Sequence, residues 1–149
     1  MIYKTGSMMG RRWLLAGWVA SAGIFLAAAP LAASAQASSE ATAMQSSNDQ
    51  GVTVKVTPKS MGLPDKPWEF DIVLDTHSAS LSDELTQSAT LTTDDGRTFK
   101  PAGWFGAPAG GHHREGVLAF DIPAPRPGSI ELSIVRPGES TPRTFRWQL

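Results

Sequence analysis

Three histidines and one aspartate are the residues of this chain best suited to chemistry. His112 and His113 are adjacent, inside a glycine- and proline-rich stretch, PAGWFGAPAGGHHREG, running from Pro101 to Gly116. His77 follows Asp75 by two residues. On an extended strand residues i and i+2 point the same way, so Asp75 and His77 share a face if the strand runs that far. Imidazole suits copper, zinc or nickel, and His77, His112, His113 and Asp75 together would make a transition-metal site. Neighbouring histidines diverge on a regular strand, so both can ligate only where the backbone is irregular, which Gly110-Gly111 permits. The alternative is a polar clasp of Asp75, His77, His112 and Arg114, in which an imidazole–carboxylate hydrogen bond and an Arg114–carboxylate fork pin the 101–116 stretch to a sheet. Long loops in compact domains often carry function. Trp104, Phe105 and Arg114 are the candidate binding surface, with a lid over one end of the core as the structural alternative for the two rings.

Catalysis is not expected. Ser78, Ser80 and Ser82 lie near His77 in the chain, but no nucleophile-elbow motif surrounds them. Asp94 and Asp95 lead straight into Gly96, which reads as a turn rather than a catalytic pair. Cysteine is absent, which removes thiolate ligands and disulfides alike. No basic run interleaves with aromatic residues, so nucleic acid is not an expected partner.

The elements that must position these residues are strands, because the hydrophobic period is two. Val52, Val54 and Val56 alternate with Thr53, Lys55 and Thr57, and Trp68, Phe70, Ile72 and Leu74 with Glu69, Asp71, Val73 and Asp75. The same period of two runs through Leu118, Phe120 and Ile122, through Ile130, Leu132 and Ile134, and through Phe145, Trp147 and Leu149. Each set places its apolar members on one face of an extended chain. A shorter strand around Ala89–Thr93 enters the turn Asp94-Asp95-Gly96 and returns through Arg97 to Lys100 as a hairpin. Ser80–Gln87, with Leu81 and Leu85 four apart, predicts a helical turn crossing between sheets. The expectation is all-β: an antiparallel sandwich of about seven strands over residues 51–149, each sheet burying its apolar face against the other.

The N-terminal third reads differently. Lys4, Arg11 and Arg12 precede an apolar run from Trp13 to Leu31, followed by Ala33-Ser34-Ala35. That order predicts a signal peptide over 1–35, with a retained membrane anchor as the competing reading. Arg11-Arg12-Trp13-Leu14-Leu15 partly matches a twin-arginine signal, with Gly10 at the usual Ser or Thr, so the general secretory and twin-arginine routes both stay open. After cleavage no membrane span is expected. Residues 36–50 carry Met44 as their one large apolar side chain and are read as a disordered tether. Loss of residues 1–35 leaves 10 basic and 14 acidic residues, a net charge of −4.

With its exported leader, tether and alternating strands, the chain resembles the immunoglobulin-like β-sandwiches of bacterial periplasmic proteins. The CopC-type copper carriers are similar in size and in using histidines with a carboxylate. The likeness implies a periplasmic or secreted copper site. The chain departs from it at the mature N-terminus, where those carriers place a histidine and Gln36 stands here. The segments DTHSASL and GGHHREGVLAF look like signatures without an attached activity. Two functions are carried forward: a non-catalytic module that binds an envelope protein partner, and a periplasmic copper- or zinc-binding protein.

Overall fold

A computed structural model describes residues 41–63 and 65–149; the leader, residues 36–40 of the tether and Pro64 lie outside the described residues. The expected two-sheet antiparallel sandwich is present. Nine strands form among the described residues: β1 (Gln45–Asp49), β2 (Val52–Ser60), β3 (Trp68–Thr76), β4 (Ala89–Thr93), β5 (Thr98–Phe99), β6 (Gly103–Gly106), β7 (His113–Phe120), β8 (Ser129–Ile134) and β9 (Arg143–Gln148). One sheet has the order β1-β2-β3-β7-β6 and the other β5-β4-β8-β9, with every pairing antiparallel.

The alternating positions behave as their period requires. The valines of β2, the Trp68–Leu74 row of β3 and the apolar residues of β4, β8 and β9 are all buried. Ile122 and Leu149, which continue the alternation past the strand ends, pack against the core while remaining partly exposed. At the centre Phe70 meets Phe120 edge-on at 5.8 Å between centroids and reaches across the sandwich to Trp147 at 5.6 Å. Off-axis ring contacts of this kind add to the area the rings remove from water. The crossover between sheets contains α1 (Leu85–Ser88), a single turn shorter than the 80–87 expectation, with Leu81 and Leu85 both buried. Among the described residues no helix is long and apolar enough to cross a membrane.

Two expectations need correction. The tether does not extend to residue 50, because Gln45–Asp49 pairs with β2 along its whole length as the edge strand β1. Its half-buried residues, Gln45 and Ser47, are polar because they face polar groups. Ser47 accepts from the Arg143 guanidinium through its Oγ at 3.1 Å, and the Gln45 amide pairs with both the N–H and the carbonyl of Arg146. The amide thus acts as a short strand against the free edge of β9. Trp147 Nε1 also donates to the Ala43 carbonyl at 2.8 Å. The second correction concerns 101–116, which is a β-hairpin of β6 and β7 with a short connection, not an irregular loop.

The hairpin closes tightly because Gly106 and Gly116 face each other in register. A Cβ on Gly116 would lie 2.5 Å from the Gly106 Cα and 2.8 Å from Cζ2 of Trp104, whose indole occupies the space. Overfilling a packed site of this kind costs roughly 1–3 kcal/mol. Gly116→Val should therefore lower the melting temperature and weaken the near-ultraviolet circular dichroism from Trp104. An unchanged melt would show that the strands can separate freely there.

Candidate functional site

The outer face of the five-stranded sheet carries the predicted chemistry. Because Val52, Val54 and Val56 point inward, Thr53 and Lys55 of β2 point out, and Asp75 of β3 and His113 of β7 do likewise. Asp75 lies directly opposite His113 in the ladder. His113 Nδ1 is 2.5 Å from Asp75 Oδ1, Lys55 Nζ is 3.6 Å from Asp75 Oδ2, and His113 Nε2 is 3.5 Å from Glu115 Oε2. Lys55, Asp75, His113 and Glu115 thus form a charge ladder across three strands. A second outward pair, Lys59–Asp71 at 3.6 Å, lies further along β2 and β3.

The hydrogen bond to Asp75 raises the His113 pKa above its ordinary value, and the Glu115 carboxylate adds to the shift. The same bond, with Lys55 behind it, lowers the pKa of Asp75. A raised histidine pKa means that the stabilising contribution is complete below the ordinary histidine value and disappears as pH rises through the shifted one. His113 is exposed and Asp75 partly so, so the effect on stability is small. NMR titration of the His113 ring should show a midpoint above that of the same ring in an Asp75→Asn variant. Coincident midpoints would show that the pair does not form in solution.

His77 and His112 do not join this bond. β3 ends at Thr76, whose buried hydroxyl donates to the Gly51 carbonyl at 2.9 Å and accepts from the N–H groups of Ser78 and Ala79. That cap bends the chain out of the sheet, so the i, i+2 relation between Asp75 and His77 stops one residue short. Thr76 N–H bonds to the carbonyl of His112 at 2.9 Å, and both imidazoles stay exposed. They line the same concavity of about 540 Å³ as Thr53, Lys55, Asp75 and His113. Among the described residues no group of three histidine or acidic side chains is close enough to hold a metal ion.

Of the candidate binding surface, two members pack inward, Arg114 fully and Trp104 in part. Arg114 is buried, with its guanidinium 5.0 Å from the Trp104 ring centroid. It donates through Nε to the Ala107 carbonyl at 3.0 Å and through Nη1 to the carbonyl of Asp83. Trp104 Nε1 donates to Ala107 as well, at 2.9 Å. Arg114 thus pins the hairpin, but not as the expected clasp: it binds carbonyls rather than a carboxylate, and His113 stands on Asp75 in place of His77 or His112. Phe105, the next residue along β6, is 67% exposed on the face that carries His113. A Cβ on Gly103 would sit 3.0 Å from its Cζ, so the ring lies back along the strand over the missing side chain.

Sequence reasoning missed a buried ionic chain at this end of the sandwich. Arg136 holds Asp83 through Nε–Oδ1 at 2.8 Å and Nη2–Oδ2 at 3.0 Å, and reaches Glu139 at 2.9 Å. Arg143 forks onto Glu139 with two contacts of 2.6 Å, then donates to the carbonyls of Ser47, Val52 and Asp49. All four side chains are nearly inaccessible to water. The one available signal was charge inside or beside alternating rows, at Arg143, Arg136 and Asp83, where solvent-facing partners are the default reading.

Comparison of the chain with protein-family models, with curated proteins and with solved structures finds no match.

Proposed function

We propose that this is an exported, non-catalytic interaction module whose partner docks along the β6–β7 margin of the five-stranded sheet. The observation that carries the reading is Phe105, a large apolar ring left 67% exposed on a sheet edge. An edge strand offers unpaired backbone N–H and C=O groups, and an extended segment of a partner can add to it while its side chains meet the exposed ring. The Trp104–Arg114 clasp supports this by fixing β6 in advance, which lowers the ordering cost on binding. The charge ladder beside Phe105 supplies polar contacts for the rim. Export rests on the order of basic leader, apolar run and small-residue site over 1–35.

A photo-crosslinking side chain placed at Phe105 in the producing cell should yield a discrete protein adduct. One placed at Val135, also exposed, should not. Phe105→Asp should keep the melting temperature and abolish an adduct formed from Val117. Equal labelling from both positions, or none from position 105, rejects the reading.

The metal reading draws support from one observation. A carboxylate on Nδ1 of His113 is the arrangement that orients many metal-binding imidazoles, and His77 and His112 line the same concavity. Copper or zinc would have to draw the three rings together. Adding either ion to the mature chain should raise its melting temperature by mass action, and His113→Ala should remove the rise. No rise eliminates this reading and leaves the first untouched.

A further inference from the structure

The outer side of β3 breaks its alternation once. Glu69, Asp71 and Asp75 point outward as a period of two requires, but Val73 stands where a fourth polar residue would. β7 repeats the exception: His113 and Glu115 face outward, and Val117 and Ala119 follow them. The outer faces of β1 and β2 carry polar residues, Ser46 and Asn48, then Thr53, Lys55, Thr57 and Lys59. Register gathers the apolar exceptions beside Phe105. Phe105 lies opposite Val117, and Val73 lies opposite Glu115, two residues before Val117 on the same face. Val73 is thus the diagonal neighbour of Val117, and the three side chains form one strip running inward from the free edge.

Carboxylates frame that strip. Asp71 lies opposite Val117, Glu69 opposite Ala119 and Glu115 opposite Val73. The lysines of this face, Lys55 and Lys59, both stand on β2, where they meet Asp75 and Asp71 at 3.6 Å. Two carboxylates are left without a lysine. Glu115 has only the His113 ring, at 3.5 Å, and its side chain is 70% exposed. The Glu69 carboxylate makes no hydrogen bond or ion pair with any described residue. β6 reads Gly-Trp-Phe-Gly and adds no charge, and Arg114 is buried with its guanidinium on carbonyls. The surface around Phe105 is therefore apolar at its centre and negative at its border.

We propose that the segment docking at this margin is extended and basic, with an apolar residue set between lysines or arginines. Alternate side chains of an extended segment project to one side about 7 Å apart, the spacing of Glu115 and Val117 along β7. The apolar residue then meets Phe105 and Val117 while the flanking cations reach Glu115 and Glu69. Opposite charge across the contact selects the partner and speeds its approach. This partner chemistry rests on the docking face proposed above. The probe is the end-blocked peptide Thr-Lys-Val-Lys-Thr, with Thr-Glu-Val-Glu-Thr as its acidic counterpart. In NMR titration of the mature chain, the basic peptide should move the amide resonances of Phe105, Val117 and Val73 saturably in the millimolar range. The acidic peptide should bind at least about tenfold more weakly, and raising salt from about 20 to about 300 mM should erase most of the difference. Combining Glu69→Gln with Glu115→Gln should erase it at low salt without lowering the melting temperature, since both side chains stand on the outer face. The basic partner is overturned if the two peptides bind equally, if Phe105 does not respond, or if shifts at Asp65 and Asp94, exposed residues outside this face, match those at Phe105. A discrete crosslinked adduct at position 105 alongside any of those results keeps the docking face and rejects the basic partner; absence of the adduct rejects both.

Discussion

Glu139→Gln is expected to destabilise the domain by about 3–5 kcal/mol, the usual cost of removing one partner from a buried ion pair. Glu139 sits between two guanidinium groups, Arg136 at 2.9 Å and Arg143 at 2.6 Å, and its side chain is 2% exposed. Glutamine keeps the shape but leaves both cations without their shared anion in a site that water does not reach. For a domain of this size the loss corresponds to a fall in melting temperature of roughly 12–30 °C. The control is Arg146→Ala, which removes an ion pair with Glu131 in which the arginine is 71% exposed. Surface pairs contribute at most about 1 kcal/mol, so that variant should melt close to the parent. Equal effects from the two substitutions would show that the buried chain carries no special weight.

Acid sensitivity follows from the same residue. The hydrogen bonds from Arg143, with the charge of Arg136 adding to them, hold the Glu139 carboxyl below the ordinary glutamate value. A depressed folded pKa contributes stability above the ordinary value, and that stability is lost as pH falls through the depressed one. The parent should therefore lose stability on acidification more steeply than Glu139→Gln. Chemical denaturation at a series of pH values measures both slopes, and parallel curves would contradict the assignment.

Removing residues 41–50 is the second large effect expected. A chain starting at Gly51 retains every apolar alternating row, so composition alone predicts a stable sandwich. The structure predicts otherwise. The deletion takes away β1, the amide bracket of Gln45 on the β9 edge and the carbonyl that accepts from Trp147. It also removes the Ser47 and Asp49 acceptors of Arg143, leaving a buried guanidinium partly unsatisfied. Each lost hydrogen bond to a charged donor is worth about 1.5–3 kcal/mol, and the uncovered edges of β2 and β9 become templates for aggregation. The shortened chain should melt at least ~15 °C lower or fail to fold, and should aggregate at concentrations where 41–149 stays monomeric. Melting within a few degrees of the longer chain would show β1 to be a dispensable strap.

These two predictions mark where local reading stops. β2, β3, β8 and β9 were legible because a buried face imposes a period of two on apolar residues, and that information lies within six to nine consecutive positions. β1 was not, because its inward residues are Gln45 and Ser47 and their partners are an arginine and a strand edge. A pattern counted in apolar side chains does not register a strand whose inner contacts are polar. The Asp94-Asp95-Gly96 hairpin was legible for a local reason as well: Gly96 takes φ +83° in a four-residue turn, and its N–H bonds to the Thr93 carbonyl.

The candidate site divides along the same line. Residue types alone placed Asp75 with a histidine, and named the right stretch for the clasp. Which histidine it is depends on the register of β3 against β7, which sets His113 opposite Asp75, and on the Thr76 hydroxyl that ends β3 before His77. The Asp83–Arg136 pair spans 53 residues and Arg143 reaches 96 residues back to Ser47, so no local spacing encodes either. Alternation determined that two layers would form and which side chains would lie between them. Only the packed structure decided which charges those layers would enclose, because ion partners are chosen by strand register and turn geometry across the whole chain.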